Sequence, residues 1–293
     1  MTGAPAAGGT RTAERPVEDE PAAQAPRHPK ATAERRGRGL LSVTLPPLLV
    51  VSAVLAVWQS YTSAAAVDPT VLPSPWRVLQ QGWENRQALW DATLPTLQET
   101  VAGFGMSFVA AWLVATLLDF STWARRGLYP LLVASQTIPV VAVAPLLIIW
   151  FGFGLFPKML VVTLVTFFPL TANLAAGFAS ADPEAMRLLR SLGAGRTRTF
   201  LMVRVPSAMP YFFAGLRVSI TYAVVGAVFA EYAGAENGLG IYMQAQKSAF
   251  RTDLVFAAVA VTAALSIALF SATYLIQRLA LPWERTARRK EHP

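Results

Sequence analysis

The chain contains no cysteine, and its only two histidines, His28 and His292, lie close to its ends. Without thiols there can be no disulfide, thiolate metal site or cysteine nucleophile. Without imidazole in the body of the chain, a histidine-based catalytic or metal centre is excluded there as well. Charge is scarce too. Asp, Glu, Lys and Arg make up 14% of the 293 residues, against 54% hydrophobic, where a soluble domain carries about 25% charged residues. No Gly-x-x-x-x-Gly-Lys-Ser/Thr sequence occurs, so ATP is not bound by that route, and Gly238-Leu239-Gly240 lacks the rest of a dinucleotide fingerprint. These absences leave a membrane protein without the residues of an intramembrane enzyme.

What is present is a series of long apolar runs. Residues 1–38 are rich in Ala, Pro, Gly, Arg and Glu without apolar periodicity, a composition that cannot bury enough surface to order itself, and they are read as a disordered tail. The run from Leu40 to about Tyr61 follows Arg35, Arg36 and Arg38 and exceeds the apolar part of a signal peptide. It reads as a first span with its N-terminus inside, a cleaved signal being the alternative. Further spans are expected at about Thr96–Leu118, Pro130–Phe151, Met159–Phe178, Tyr211–Glu231 and Leu254–Leu279. The third should be broken by Pro139 and Pro145.

Between these runs lie polar segments. Trp76, Trp83 and Trp90, spaced by seven, suggest one face of an amphipathic interfacial helix. Asp119–Tyr129 is expected to be a cytoplasmic loop, Gly152–Lys158 an external turn, and Tyr232–Asp253 an external segment, as a loop or a partly re-entrant hairpin. A basic tail, 284–293, closes the chain. With this topology 20 of the 25 Lys and Arg residues fall inside, as the positive-inside rule demands. The net charge of +8 therefore reflects membrane topology, not nucleic-acid binding. The expected fold is an all-α bundle of six transmembrane helices, residues 39–283, with both termini cytoplasmic.

The most informative stretch is Ala181–Pro210, basic and held between two spans on the Arg-rich side. Asp182 can cap a helix, Pro183 suits its first position, and Glu184 complements the positive end of its dipole. Gly193 can end that helix in the left-handed conformation. A second short helix is expected from Arg196 to Arg204, before Pro206. Met186, Leu189, Leu192, Phe200, Leu201 and Val203 would supply apolar contacts for a compact elbow.

Gly193, nine residues, then Val203-Arg204-Val205-Pro206 resembles the cytoplasmic loop of binding-protein-dependent ABC transporter permeases, whose pattern is Glu-Ala-Ala, three residues, Gly, nine residues, Ile-x-Leu-Pro. Arg187-Leu188-Leu189 stand where Glu-Ala-Ala would be; Glu184 lies three residues earlier. The resemblance extends over about residues 70–280, through LPSP (72–75), QTIPVVAVAPLLIIWFGFG (136–154), FFPL (167–170) and AGAENGLG (233–240). It implies a multi-pass protein of the bacterial inner membrane, paired with a second permease subunit, here expected as a homodimer. A cytoplasmic ATPase would carry the ATP and dock on the loop through Glu184, Arg187, Arg190, Gly193, Ala194, Arg196, Arg198 and Pro206. An external solute-binding protein would deliver the substrate, and this chain would bind no cofactor.

Within the family, residues 136–170 look most like permeases for thiamine-precursor pyrimidines or riboflavin, then nitrate, sulfonate and taurine. Gln136, Thr137, Asn173, Ser219 and Tyr222 could line the pathway or hydrogen-bond between helices. The arginines of the loop are either contacts to an acidic groove or ordinary positive-inside residues. Glu231 and Glu236 are expected near the outer face, touching the binding protein or solvated. An ion-driven secondary transporter is the rival; it would need repeated halves and an intramembrane charge, and neither is apparent.

Overall fold

The computed structural model describes residues 40–281; the two expected tails lie outside them. The chain divides after Val51. Residues 40–51 are simply the first half of α1 (Leu40–Ala64), and the bundle itself belongs to the unit that begins at Ser52. The described residues are helical, without a strand. Five helices are long and apolar enough to cross a membrane, and a sixth span results if one bent pair counts as one.

That pair is α4 (Thr122–Ser135) and α5 (Val140–Phe151), inclined at 101°. The break falls at Pro139, which has no N–H to give and pushes the preceding residue out of helical conformation. The freed carbonyls are used locally: Thr137 donates from both its N–H and its hydroxyl to Ala134 O, at 3.0 and 2.8 Å. Pro145 does not break anything; it sits inside α5. The expected loop 119–129 is not a loop either. Ser121 alone separates α3 (Arg86–Phe120) from α4, its hydroxyl accepting from Ala124 N–H at 3.2 Å, so Arg125 and Arg126 sit on a helix.

The tryptophan stripe is also divided. Trp76 and Trp83 belong to α2 (Pro75–Glu84), capped by Ser74, whereas Trp90 lies on α3 beyond the break at Asn85. All three are mostly exposed.

The core is built by α3, α6 (Leu155–Ala179) and α9 (Val205–Gly234). Lipid tails are as apolar as leucine, so such helices associate through close packing and not through hydrophobic exclusion. Small residues make it possible: a Cβ at Gly103 would lie 2.6 Å from Val162 Cβ, and one at Gly215 2.7 Å from Asn173 Cβ. At one end the Phe200 ring lies between those of Phe120 and Phe178, its centroid 5.0 Å from each.

The segment after α9 forms α10 (Leu239–Ser248), which packs on α3, α9 and α11 (Thr252–Ala280). Arg77 of α2 and Arg251 each reach Asp253 at 3.1 Å, tying α2 to the start of α11.

Candidate functional site

The elbow at 181–204 forms as its local chemistry dictates. Asp182 Oδ1 accepts from Glu184 N–H at 2.8 Å, Pro183 opens α7 (Pro183–Ser191), and Gly193 takes φ +82°. Gly193 N–H donates to Arg190 O at 3.0 Å and Ala194 N–H to Leu189 O at 2.9 Å, the paired bonds of a Schellman ending. Glu184, Arg187, Arg190, Arg196 and Arg198 are exposed, while Ala194 is half-buried. α7 has no buried residue, and Leu188 and Leu192 stand 61% and 73% exposed. Leu192 and Leu201 are thus not apolar contacts of the elbow; of the expected set Phe200 is the buried member.

The second helix differs from expectation. α8 (Arg196–Thr199) runs through a widened turn, Phe200–Arg204, directly into α9, a continuous 39-residue path to Gly234. Pro206 does not end it. Proline cannot donate back and its ring crowds the carbonyl four residues earlier; a turn of π geometry, with Val205 N–H reaching Phe200 O, relieves that crowding. The second arm of the elbow, α8, is therefore continuous with a membrane span.

Two of the elbow's arginines reach back to the end of α3. Arg196 donates to Phe120 O and lies 4.9 Å over the Phe120 ring. Arg204 pairs with Asp119 and also reaches Met186 Sδ at 3.4 Å, bracing α7 against the end of α3. In the sequence Arg204 is only one more inside charge.

The five pathway candidates do not form one constellation. Gln136 and Thr137 are exposed at the α4–α5 bend, and Tyr222 is 51% exposed on α9. Asn173 donates to Pro169 O at 2.8 Å and abuts Gly215. Ser219 is fully buried and donates to Thr166 O at 3.0 Å, a bond between α6 and α9.

A second polar site emerges only in three dimensions. Lys158, assigned to an external turn, lies in the first turn of α6, 8% exposed, with Nζ 2.6 Å from Glu99 Oε1. Glu231, expected near solvent, is fully buried. It accepts from the Thr96 hydroxyl at 2.6 Å and from Gly240 N–H, while Thr96 Oγ1 accepts from Leu239 N–H at 2.9 Å. Beside this knot a cleft of about 250 Å³ is lined by Gln98, Glu99, Lys158, Glu236 and Asn237. A carboxylate and a lysine bounding apolar runs were its signal in the sequence, but nothing there pairs them. Among the described residues no cluster could hold a metal ion.

The described residues thus form a multi-span helical bundle with a polar elbow whose second arm continues into one span. Residues 103–285 match the family described as "Binding-protein-dependent transport system inner membrane component", and the chain belongs to that family. It is 36% identical, over 80% of its length and 96% of the relative's, to a probable ABC transporter permease protein of Haemophilus influenzae. It is 35% identical to the formylaminopyrimidine transport permease protein ThiX of Halalkalibacterium halodurans, covering 82% of this chain and 96% of that one. The riboflavin transport system permease protein RibX of Chloroflexus aurantiacus is also 35% identical, at 83% and 90% coverage.

Two solved structures share the fold: an amino acid ABC transporter (TM-score 0.53, 16% identity, 67% of this chain and 94% of that one) and the MetNI methionine ABC transporter (0.54, 15%, 67% and 96%). The chain is thus a multi-pass inner-membrane permease subunit of an ABC importer. Such permeases work with an ATPase and a binding protein. Buried carboxylates, which the sequence did not reveal and which an ion-driven transporter would need, do exist here at Glu99 and Glu231; family membership is what sets that rival aside.

Proposed function

We propose that this permease moves a small polar heterocycle, a thiamine-precursor pyrimidine or riboflavin, with taurine, sulfonates or nitrate as the next class. Support comes from similarity to ThiX and RibX at 35% identity, against 31% for the taurine permease protein TauC of Escherichia coli. Two copies form the pathway, both termini face the cytoplasm, and α7 docks in a groove of the ATPase.

The observation that carries the docking reading is the exposure of Leu188 and Leu192 among Arg187, Arg190 and Arg198. Exposed apolar tips on a helix that also carries exposed arginines fit a hydrophobic groove with an acidic rim. Because Arg187 stands where the family pattern is acidic, the partner's groove supplies the negative charge. The continuous path from α8 into α9 then converts movement of the elbow into movement of a span.

Gly193→Val should leave the bundle folded yet stop ATP-driven uptake, since a β-branched residue resists a positive φ. Uptake at the wild-type level, with equal expression, overturns the docking assignment. For the substrate, proteoliposomes holding this chain, its ATPase and its binding protein should accumulate labelled pyrimidine or riboflavin. Accumulation of taurine alone reverses the preferred order.

A further inference from the structure

Two carboxyl groups and one ammonium share the buried knot, and their charges do not cancel. Lys158 offsets one carboxylate through its contact with Glu99 Oε1. The donors to Glu231, the Thr96 hydroxyl and Gly240 N–H, are neutral and leave its charge uncompensated. Burying such a charge is costly enough that a group neutralises itself instead. The other oxygen of Glu99, Oε2, is buried and has no donor, and Glu99 stands one helical turn along α3 from Thr96, the residue whose hydroxyl holds Glu231. Two carboxyl groups bond to each other only when one of them carries a proton.

We propose that Glu99 and Glu231 hold a single proton between them, and that this proton keeps α10 fastened to the bundle. The remaining ionisable groups around the pair are few. α6 brings Lys158, the cleft rim brings Glu236, and Tyr232 follows Glu231 on α9 with its hydroxyl on Met243 Sδ. Tyr242 of α10 and Asp253 of α11 belong to the separate Arg77–Arg251 cluster. Toward the pair itself α10 presents backbone N–H groups.

The link to α10 is direct. Gly240 N–H ends on Glu231 itself, and Leu239 N–H on Thr96, which in turn donates to Glu231. A Cβ at Gly238 would lie 2.2 Å from Glu231 Cδ, so the backbone entering α10 rests on this carboxyl. Loss of the proton leaves two buried carboxylates facing one ammonium. Their repulsion displaces Glu231, and the first turn of α10 moves with it.

The purified full-length chain in detergent allows two measurements. Infrared spectroscopy at neutral pH should show a protonated-carboxyl stretch that shifts in D2O and is lost in both Glu99→Gln and Glu231→Gln. Its absence from the wild type, or its persistence in both variants, overturns the shared proton. Because the chain has no cysteine, Met243→Cys, at a buried position of α10, reports undocking by maleimide labelling, with exposed Ser248→Cys correcting for the reagent's own pH dependence. From mildly acid to alkaline pH the corrected rate should rise about tenfold, a factor corresponding to about 1.4 kcal/mol. The rise should disappear in a Glu231→Gln background, or in Glu99→Gln if the first does not fold. A flat wild-type profile, or an undiminished rise in the glutamine background, overturns the fastening role.

Discussion

The elbow around Gly193 and the knot around Glu231 are both polar interruptions of an apolar bundle, yet they are held in different ways. The elbow closes on itself through bonds between residues two to five apart: Glu184 onto Asp182, Gly193 onto Arg190, Ala194 onto Leu189. Its charged side chains mostly stay in solvent. The knot is closed by partners 59, 135 and 143 positions apart, Lys158 with Glu99, Thr96 with Glu231 and Leu239 with Thr96, and it exposes almost nothing. A polar element that must meet a partner keeps its charges outside. One that only holds helices together buries them and must satisfy them there.

Substitutions can break this contrast at either site. Lys158→Met should have the largest effect, because it leaves Glu99 buried without its cation; a loss of about 3–5 kcal/mol is expected, read as a drop in the unfolding temperature of the purified protein. An unchanged transition would mean that charge contributes little to the knot. Gly240→Ala comes next. Its Cβ would meet Val228 O at 2.7 Å and Glu231 Oε2 at 2.8 Å, and overpacking of this kind costs about 1–3 kcal/mol.

Gly193→Ala tests the elbow on different grounds, since no atom lies within 4 Å of an added Cβ. Only the positive φ resists, at about 1–2 kcal/mol, and Gly193→Asn should recover most of it because asparagine tolerates that conformation. If alanine and asparagine behave alike, the backbone conformation is not what shapes the elbow. Asp119→Asn, which weakens the partly exposed brace to Arg204, should cost about 1 kcal/mol or less, and the same unfolding assay reads it. Smallest in stability is Leu188→Ser, expected within about 0.5 kcal/mol of wild type. It should nonetheless reduce ATP-driven uptake, a separation of stability from function that no residue of the knot would give.

The spans, the turn at Gly193 and the cap at Asp182 were legible because each follows from neighbours in the chain: apolar length, a helix opening, a glycine with room for positive φ. The sequence misleads where distant packing takes over. Asp119–Tyr129 looks like a loop because it is short and basic, but α4 continues through it after a single serine. Pro206 looks like a terminus, yet a π turn carries the helix past it. Glu231 and Lys158 look like rim charges because they fall at the edges of apolar runs. Which side of its helix each faces depends on α3, whose Glu99 and Thr96 do not stand out in the sequence.

The order of amino acids by itself determined an all-α membrane protein with its spans nearly in place and an exposed arginine-bearing elbow, since apolar length, capping and glycine conformation act within a few residues. Only the tertiary structure decided that three helices converge on Glu231, that Arg204 braces the elbow against Asp119, and that α8 is one body with α9. Those outcomes depend on which distant groups arrive together in a medium without water, where a charge must find its partner inside the protein.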